Sequence, residues 1–173
     1  MTIGPRRRRI LALRAGDTDA GTATRRLCEI CAQVVGTTGA GLMLMAGRDP
    51  QGSVCSTDAV SERLERLQFA LGEGPCIDAH AQGTPIIEPD LADPVAPRWV
   101  AFGGPALEAG ARAVFGFPLR VGAARLGALN LYSDRPGALT DDQHADALVM
   151  ADVAAEAILL LQAEAPMGIL AAE

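Results

Sequence analysis

Apolar residues recur over residues 22–35 at Leu27, Cys28, Ile30, Cys31, Val34 and Val35, the spacing of a helix with one buried stripe. Thr22 or Thr24 can cap its start, and Gly36 and Gly39 end it. The pattern then changes to AGLMLMAG at residues 40–47, a continuous apolar run between glycines that predicts a buried strand. Asp49-Pro50-Gln51-Gly52 reads as the turn to a hairpin partner at residues 53–57. Asp58 can cap a following helix in which Leu64, Leu67 and Leu71 share a face and Gly72 is the stop. Pro75 to Gly83 predicts a short helix, and Pro85 to Glu88 a strand. The three prolines in PDLADPVAP at 89–97 demand a loop, and Arg98 to Gly110 is a short helical stretch interrupted by glycines. Two strands, Ala113 to Val121 and Arg125 to Tyr132, are joined by Gly122-Ala123-Ala124. Thr140-Asp141-Asp142-Gln143 is a capping box opening a long helix to about Glu164.

Hairpins at both ends of the strand list require antiparallel pairing. The order therefore predicts an α+β fold, a central antiparallel sheet of five to six strands flanked by helices, and argues against a doubly wound nucleotide fold. Residues 16–164 form this domain, between an Arg-rich tail at 1–15 and a flexible tail at 165–173.

With 173 residues, 49% hydrophobic and 21% charged, the chain has the composition of one globular domain. No apolar run is long enough for a spanning helix, so no membrane partner is expected. All fifteen cations are Arg, and five fall in the first fourteen residues: Arg6, Arg7, Arg8, Arg9 and Arg14. The body then holds ten Arg against twenty-one acids. That acidic balance repels phosphate backbones, so the folded domain is expected to bind no nucleic acid, while the Arg run reads as a solvated tail. Ile10 to Leu13 is too short for the apolar core of a secretion signal, which leaves the cytoplasm as the expected compartment.

Cys28 and Cys31 make a C-x-x-C, which alone would suggest zinc or a dithiol. They lie inside a helical stripe, and neither a second C-x-x-C nor a paired His motif supplies further ligands. They are expected to be small hydrophobes on a buried helix face, and no metal site is expected. His80 and His144, the only histidines, lie in exposed-looking helical contexts.

LQFALGEGPCIDA at 67–79, Pro89-Asp90-Leu91, Arg98-Trp99 with Phe102, AVFGFPLR at 113–120 and LGALNLY at 126–132 together resemble a GAF domain. The closer similarity is to the actinobacterial GAF domains that precede an RNA-binding ANTAR domain. The resemblance covers roughly residues 16–162. It implies a non-catalytic sensory or interaction domain in bacterial signal transduction, with a pocket on one sheet face and dimerisation through terminal helices. Only nine residues follow Glu164, so the expectation is a GAF domain without the ANTAR output.

Within that resemblance, Trp99, Phe102, Phe115 and Phe117 are the expected pocket lining, with Asn130 or Arg112 as polar anchors; plain core packing is the competing reading. The ligand, a small molecule or an effector protein, and any cofactor stay unknown. Cys76 follows Gly74-Pro75 at a helix start, where the dipole would lower a thiol pKa. That makes it the redox candidate, as a thiol sensor or in the manner of the GAF-type free methionine sulfoxide reductases. Those enzymes also need a cysteine in the following loop, and PDLADPVAP has none. No catalytic triad, P-loop or cyclic-nucleotide signature is present. The last helix carries apolar residues over a wide arc, Ala147, Met150, Ala154, Ile158 and Leu161 bordered by Leu148, Ala151, Ala155 and Leu159. The first and last helices are therefore expected to form a homodimer interface.

Overall fold

A computed structural model describes residues 20–95 and 97–164. The expectations for the tails, including the Arg6–Arg9 run, fall on residues outside these. The elements run α1 (Ala20–Val35), β1 (Gly39–Ala46), β2 (Asp49–Ser56), α2 (Ala59–Leu71), α3 (Pro75–Gln82), β3 (Ile86–Glu88), α4 (Gly103–Ala109), β4 (Ala113–Val121), β5 (Ala124–Ser133) and α5 (Asp141–Glu164). The five strands form one antiparallel sheet in the order β2-β1-β5-β4-β3.

Local signals account for most boundaries. Asp58 accepts from the Ser61 amide at 2.7 Å while Ser61 Oγ accepts from the Asp58 amide at 3.0 Å, a closed capping box on α2. Thr140 and Gln143 do the same at α5, with bonds of 2.9 and 3.1 Å. The Gln143 amide also donates to the Val35 carbonyl at 3.0 Å, which ties the start of α5 to the end of α1. α1 begins at Ala20, ahead of the threonines expected to cap it. The first hairpin differs more. Its loop is Gly47-Arg48, and Asp49 to Gly52 lie within β2. Gly47 takes the left-handed φ of 60° that so short a loop needs. β2 is an edge strand, so Pro50 removes no central ladder bond, and two register irregularities skip Val54 and Gln51.

The sheet separates two cores. On one face Leu42, Phe115, Phe117, Leu119, Leu129 and Leu131 pack beneath α1 and α5. On the other, Met43, Val114, Ala128 and Tyr132 pack beneath α2, α3 and α4 with Trp99 and Phe102. The predicted meeting of Phe115 and Phe117 with Trp99 and Phe102 is therefore corrected: the two pairs lie on opposite faces. Side chains alternate along a strand, and Val114 and Gly116, not the phenylalanines, face the second core.

The expectation that Cys28 and Cys31 are merely small hydrophobes is corrected as well. Both are buried, but Cys28 forms a disulfide with Cys55 of β2, leaving Cys31 and Cys76 as free thiols. The wide apolar arc of α5 is buried largely inside the chain. Ala147, Met150, Val153, Ala154 and Ile158 all join the first core, and Leu148 and Leu160 are its exposed large apolar residues. Among the described residues no helix is long and apolar enough to cross a membrane.

Candidate functional site

On the face under α2 and α3, Gly41 of β1, Asn130 of β5 and Gly116 of β4 pair in register as one row across three strands. The glycines give this row a floor without side chains, and helices settle onto it. A Cβ at Gly41 would fall on the Glu65 carboxylate, and one at Gly116 on the Pro75 carbonyl. Asn130 is the side chain left standing between them. Leu64, Glu65 and Gln68 fall on the inward face of α2 because they lie three to four residues apart beyond the cap at Asp58.

Glu65 and Asn130 are buried, at 2% and 6% exposure. The Asn130 amide donates to Glu65 Oε1 at 2.9 Å, while Glu65 Oε2 and Asn130 Oδ1 have no hydrogen-bond partner. Two unmatched oxygens at one spot are costly, since a buried polar atom without a partner forfeits about 1–3 kcal/mol. Burial pushes the Glu65 carboxyl up to about 8, against the smaller opposing effect of the Asn130 bond. From Glu65 a groove of about 500 Å³ runs outward between α2 and β2, past Met43, Ser53, Cys55, Arg66 and the half-exposed Phe69.

Cys76 borders the row at the start of α3. Its amide donates to Gln68 Oε1 at 2.9 Å, and Gly74, with φ of 137°, leaves room for that glutamine. The expected helix-dipole activation of its thiol is overturned. The side chain has no exposure, and burial, with the Glu65 charge adding to it, raises the thiol well above its usual range. A thiol so held stays protonated at neutral pH.

Trp99 and Phe102 meet edge-on at 5.7 Å on this same face. The Trp99 indole donates to Asp78 at 2.9 Å, and the Arg98 guanidinium lies 4.5 Å above its ring. Arg98 and Trp99, with Glu88, Leu91 and Leu107, border a smaller cleft of about 210 Å³. Arg112 is not beside Asn130. Its guanidinium bonds Asp90 at 2.7 Å on the surface, which holds that carboxyl below its usual range. His80 is buried rather than exposed, its Nε2 2.7 Å from the Gly47 carbonyl, and His144 packs edge-on against Phe117. No group of three or more metal-ligating side chains occurs among the described residues.

Asn130, Trp99, Phe102 and Cys76 thus lie on one face of the sheet, and Phe115, Phe117 and Arg112, expected beside the aromatic pair, lie away from it. Glu65 was not among the residues expected at the site. The available signal was a carboxylate one residue after Leu64 on the inward stripe of α2, opposite a strand with a glycine at 41.

A family model described as GAF domain matches residues 17–159. Among solved structures, the GAF domain of an Acinetobacter phosphoenolpyruvate-protein phosphotransferase superposes with a TM-score of 0.70. It is 12% identical, and the match covers 91% of this chain and 93% of that one. The free methionine-R-sulfoxide reductase of Neisseria meningitidis, in complex with its substrate, gives 0.67 at 15% identity, covering 92% and 89%. The A. aeolicus nlh2 GAF domain gives 0.63 at 12% identity, covering 90% and 94%. At these identities the likeness is one of fold. No curated protein matches the chain.

Proposed function

The chain belongs to the GAF domain family, and from that premise we propose that it is a non-catalytic regulatory domain of bacterial signal transduction, sensing a small molecule in the cytoplasm. The observation that carries this reading is the Glu65–Asn130 pair, buried above a glycine floor with two oxygens unmatched and a groove leading to it. A ligand that accepts from the Glu65 carboxyl proton and donates an N–H or O–H to Asn130 Oδ1 satisfies both oxygens, whereas a purely structural pair would be satisfied within the protein. Trp99 and Phe102 lie on the same face, with Trp99 at the separate, smaller cleft.

The alternative, a redox enzyme or sensor centred on Cys76, has enzymes of this fold in its favour. Against it stands a thiol that burial keeps protonated. We further propose that the domain works as a homodimer through α1 and α5, with Leu148 and Leu160 as the apolar surface still outward, and that the folded part binds no nucleic acid.

Native mass spectrometry of the freshly purified chain tests the sensing reading. The expected result is a retained small molecule that Glu65→Gln and Asn130→Leu variants lose. A bare chain from several hosts, with no thermal shift across a metabolite panel, would make this a pure interaction module.

A further inference from the structure

The Cys28–Cys55 disulfide joins α1 to β2, an edge strand of the sheet with an irregular ladder. β2 lies at the edge, contains Pro50 and Gly52, and breaks register with β1 twice. It is also the wall of three grooves: the one reaching Glu65, one of about 600 Å³ against Ile158 and Leu161 of α5, and one of about 610 Å³ beside Thr24 and Arg25 of α1. Cys28 is fully buried, while Cys55 is only half-buried and lines two of these grooves. Cys55 points with Leu42 toward α1, so of the two grooves it is the one beside Thr24 and Arg25 that lies on the side of the disulfide, and Cys55 is the partly exposed member of the pair.

We propose that Cys28 and Cys55 are a reversible thiol-oxidation site, a latch whose oxidised form fastens β2 to α1 and whose reduced form lets the groove wall move. In the closing step, the Cys55 thiolate attacks a low-molecular-weight disulfide, forming a mixed disulfide and expelling one thiol. Cys28 then attacks the Cys55 sulfur, forms the intramolecular bond and expels the second thiol. Two electrons and two protons pass from the cysteines to the small disulfide, and a dithiol reverses the sequence through the same Cys55 sulfur. In the cytoplasm proposed above, a disulfide is usually transient rather than a permanent staple. The two remaining thiols take no part, since burial pushes Cys31 up to about 12 and Cys76 higher than its usual range.

The test needs no ligand, so its failure leaves the sensing reading untouched. The full chain is equilibrated in buffers of graded reduced and oxidised glutathione, quenched, alkylated and digested with trypsin. Peptides 27–48 and 49–63 should be joined at the oxidising end and separate at the reducing end. In the native reduced protein, iodoacetamide should modify Cys55 first, while Cys31 and Cys76 stay protected. Hydrogen exchange over residues 49–57 should rise at least about tenfold on reduction while α5 is unchanged, and Cys55→Ser should reproduce the reduced pattern. Absence of the linked peptide at every ratio, a link that native reductant leaves intact, or reduction without a change at β2 would each overturn the latch.

Discussion

Glu65 carries the clearest pH signature in the molecule. Its carboxyl sits near 8 when folded and near the ordinary 4.5 when unfolded. The folded state therefore keeps a proton that the unfolded chain has lost. This contribution to stability is complete below about pH 4.5, falls as pH rises toward 8 and is gone above it, with a limiting slope of about 1.4 kcal/mol per pH unit. Urea unfolding of wild type and Glu65→Gln between pH 5 and 8 should show the wild type losing ground to the variant as pH rises. Parallel profiles would mean that Glu65 is solvated and titrates normally. Gly41→Ala tests the same contact from the floor. The added methyl meets the carboxylate, so it should cost about 1–3 kcal/mol and shift the Asn130 amide resonance. Residue types carried little of this. A carboxylate on an otherwise amphipathic helix reads as solvent-facing, and only the pairing of Gly41 with Asn130 reveals that it points inward.

At the scale of elements, local chemistry was a good guide at three helix starts and a poor one at the first hairpin. The α5 capping box, the Asp58 cap and the short helix behind Pro75 all fall where the residues place them. Asp58 has a second task, since its Oδ2 accepts from the Tyr132 hydroxyl at 2.6 Å and so pins the start of α2 to β5. Burial and that carboxylate both push the Tyr132 phenol above its usual range. Asp58→Ala should cost about 1–2 kcal/mol by chemical denaturation, roughly the loss of a cap, and return the phenol titration toward normal. What the sequence concealed is parity. Phe115, Gly116 and Phe117 are all apolar, so alternation gives no phase, and aromatic residues were grouped by type rather than by face. The phase is fixed by Gly116, which must lie beneath the Pro75 carbonyl. Ala128 accordingly faces the site, and Gly127 and Leu129 do not supply its lining. Ala128→Leu should abolish ligand response at a packing cost of about 1–3 kcal/mol, whereas Phe117→Ala should cost about 3–5 kcal/mol and leave ligand affinity unchanged. The opposite pattern in calorimetry would return the phenylalanines to the site.

For the molecule as a whole, antiparallel layering followed from two hairpins and the fold family from residues 67–132, but the assembly did not follow from the apolar arc of α5. Summed along the helix, that arc called for a partner; in three dimensions α1 and the sheet fill most of it. Light scattering at micromolar concentration should still give twice the 17.9 kDa chain mass, and Leu160→Glu should return the monomer mass. A monomeric wild type would end the dimer proposal. The division of the interior by the sheet has a consequence for how such a chain can change over generations. Substitutions at 43, 65, 76, 114 and 130 would remodel the proposed site on one side without touching the packing between α1 and α5 on the other. Specificity can then drift while the helical face stays constant, so a library confined to those positions should yield many folded variants with altered ligands, and one confined to 115, 117, 150 and 154 few.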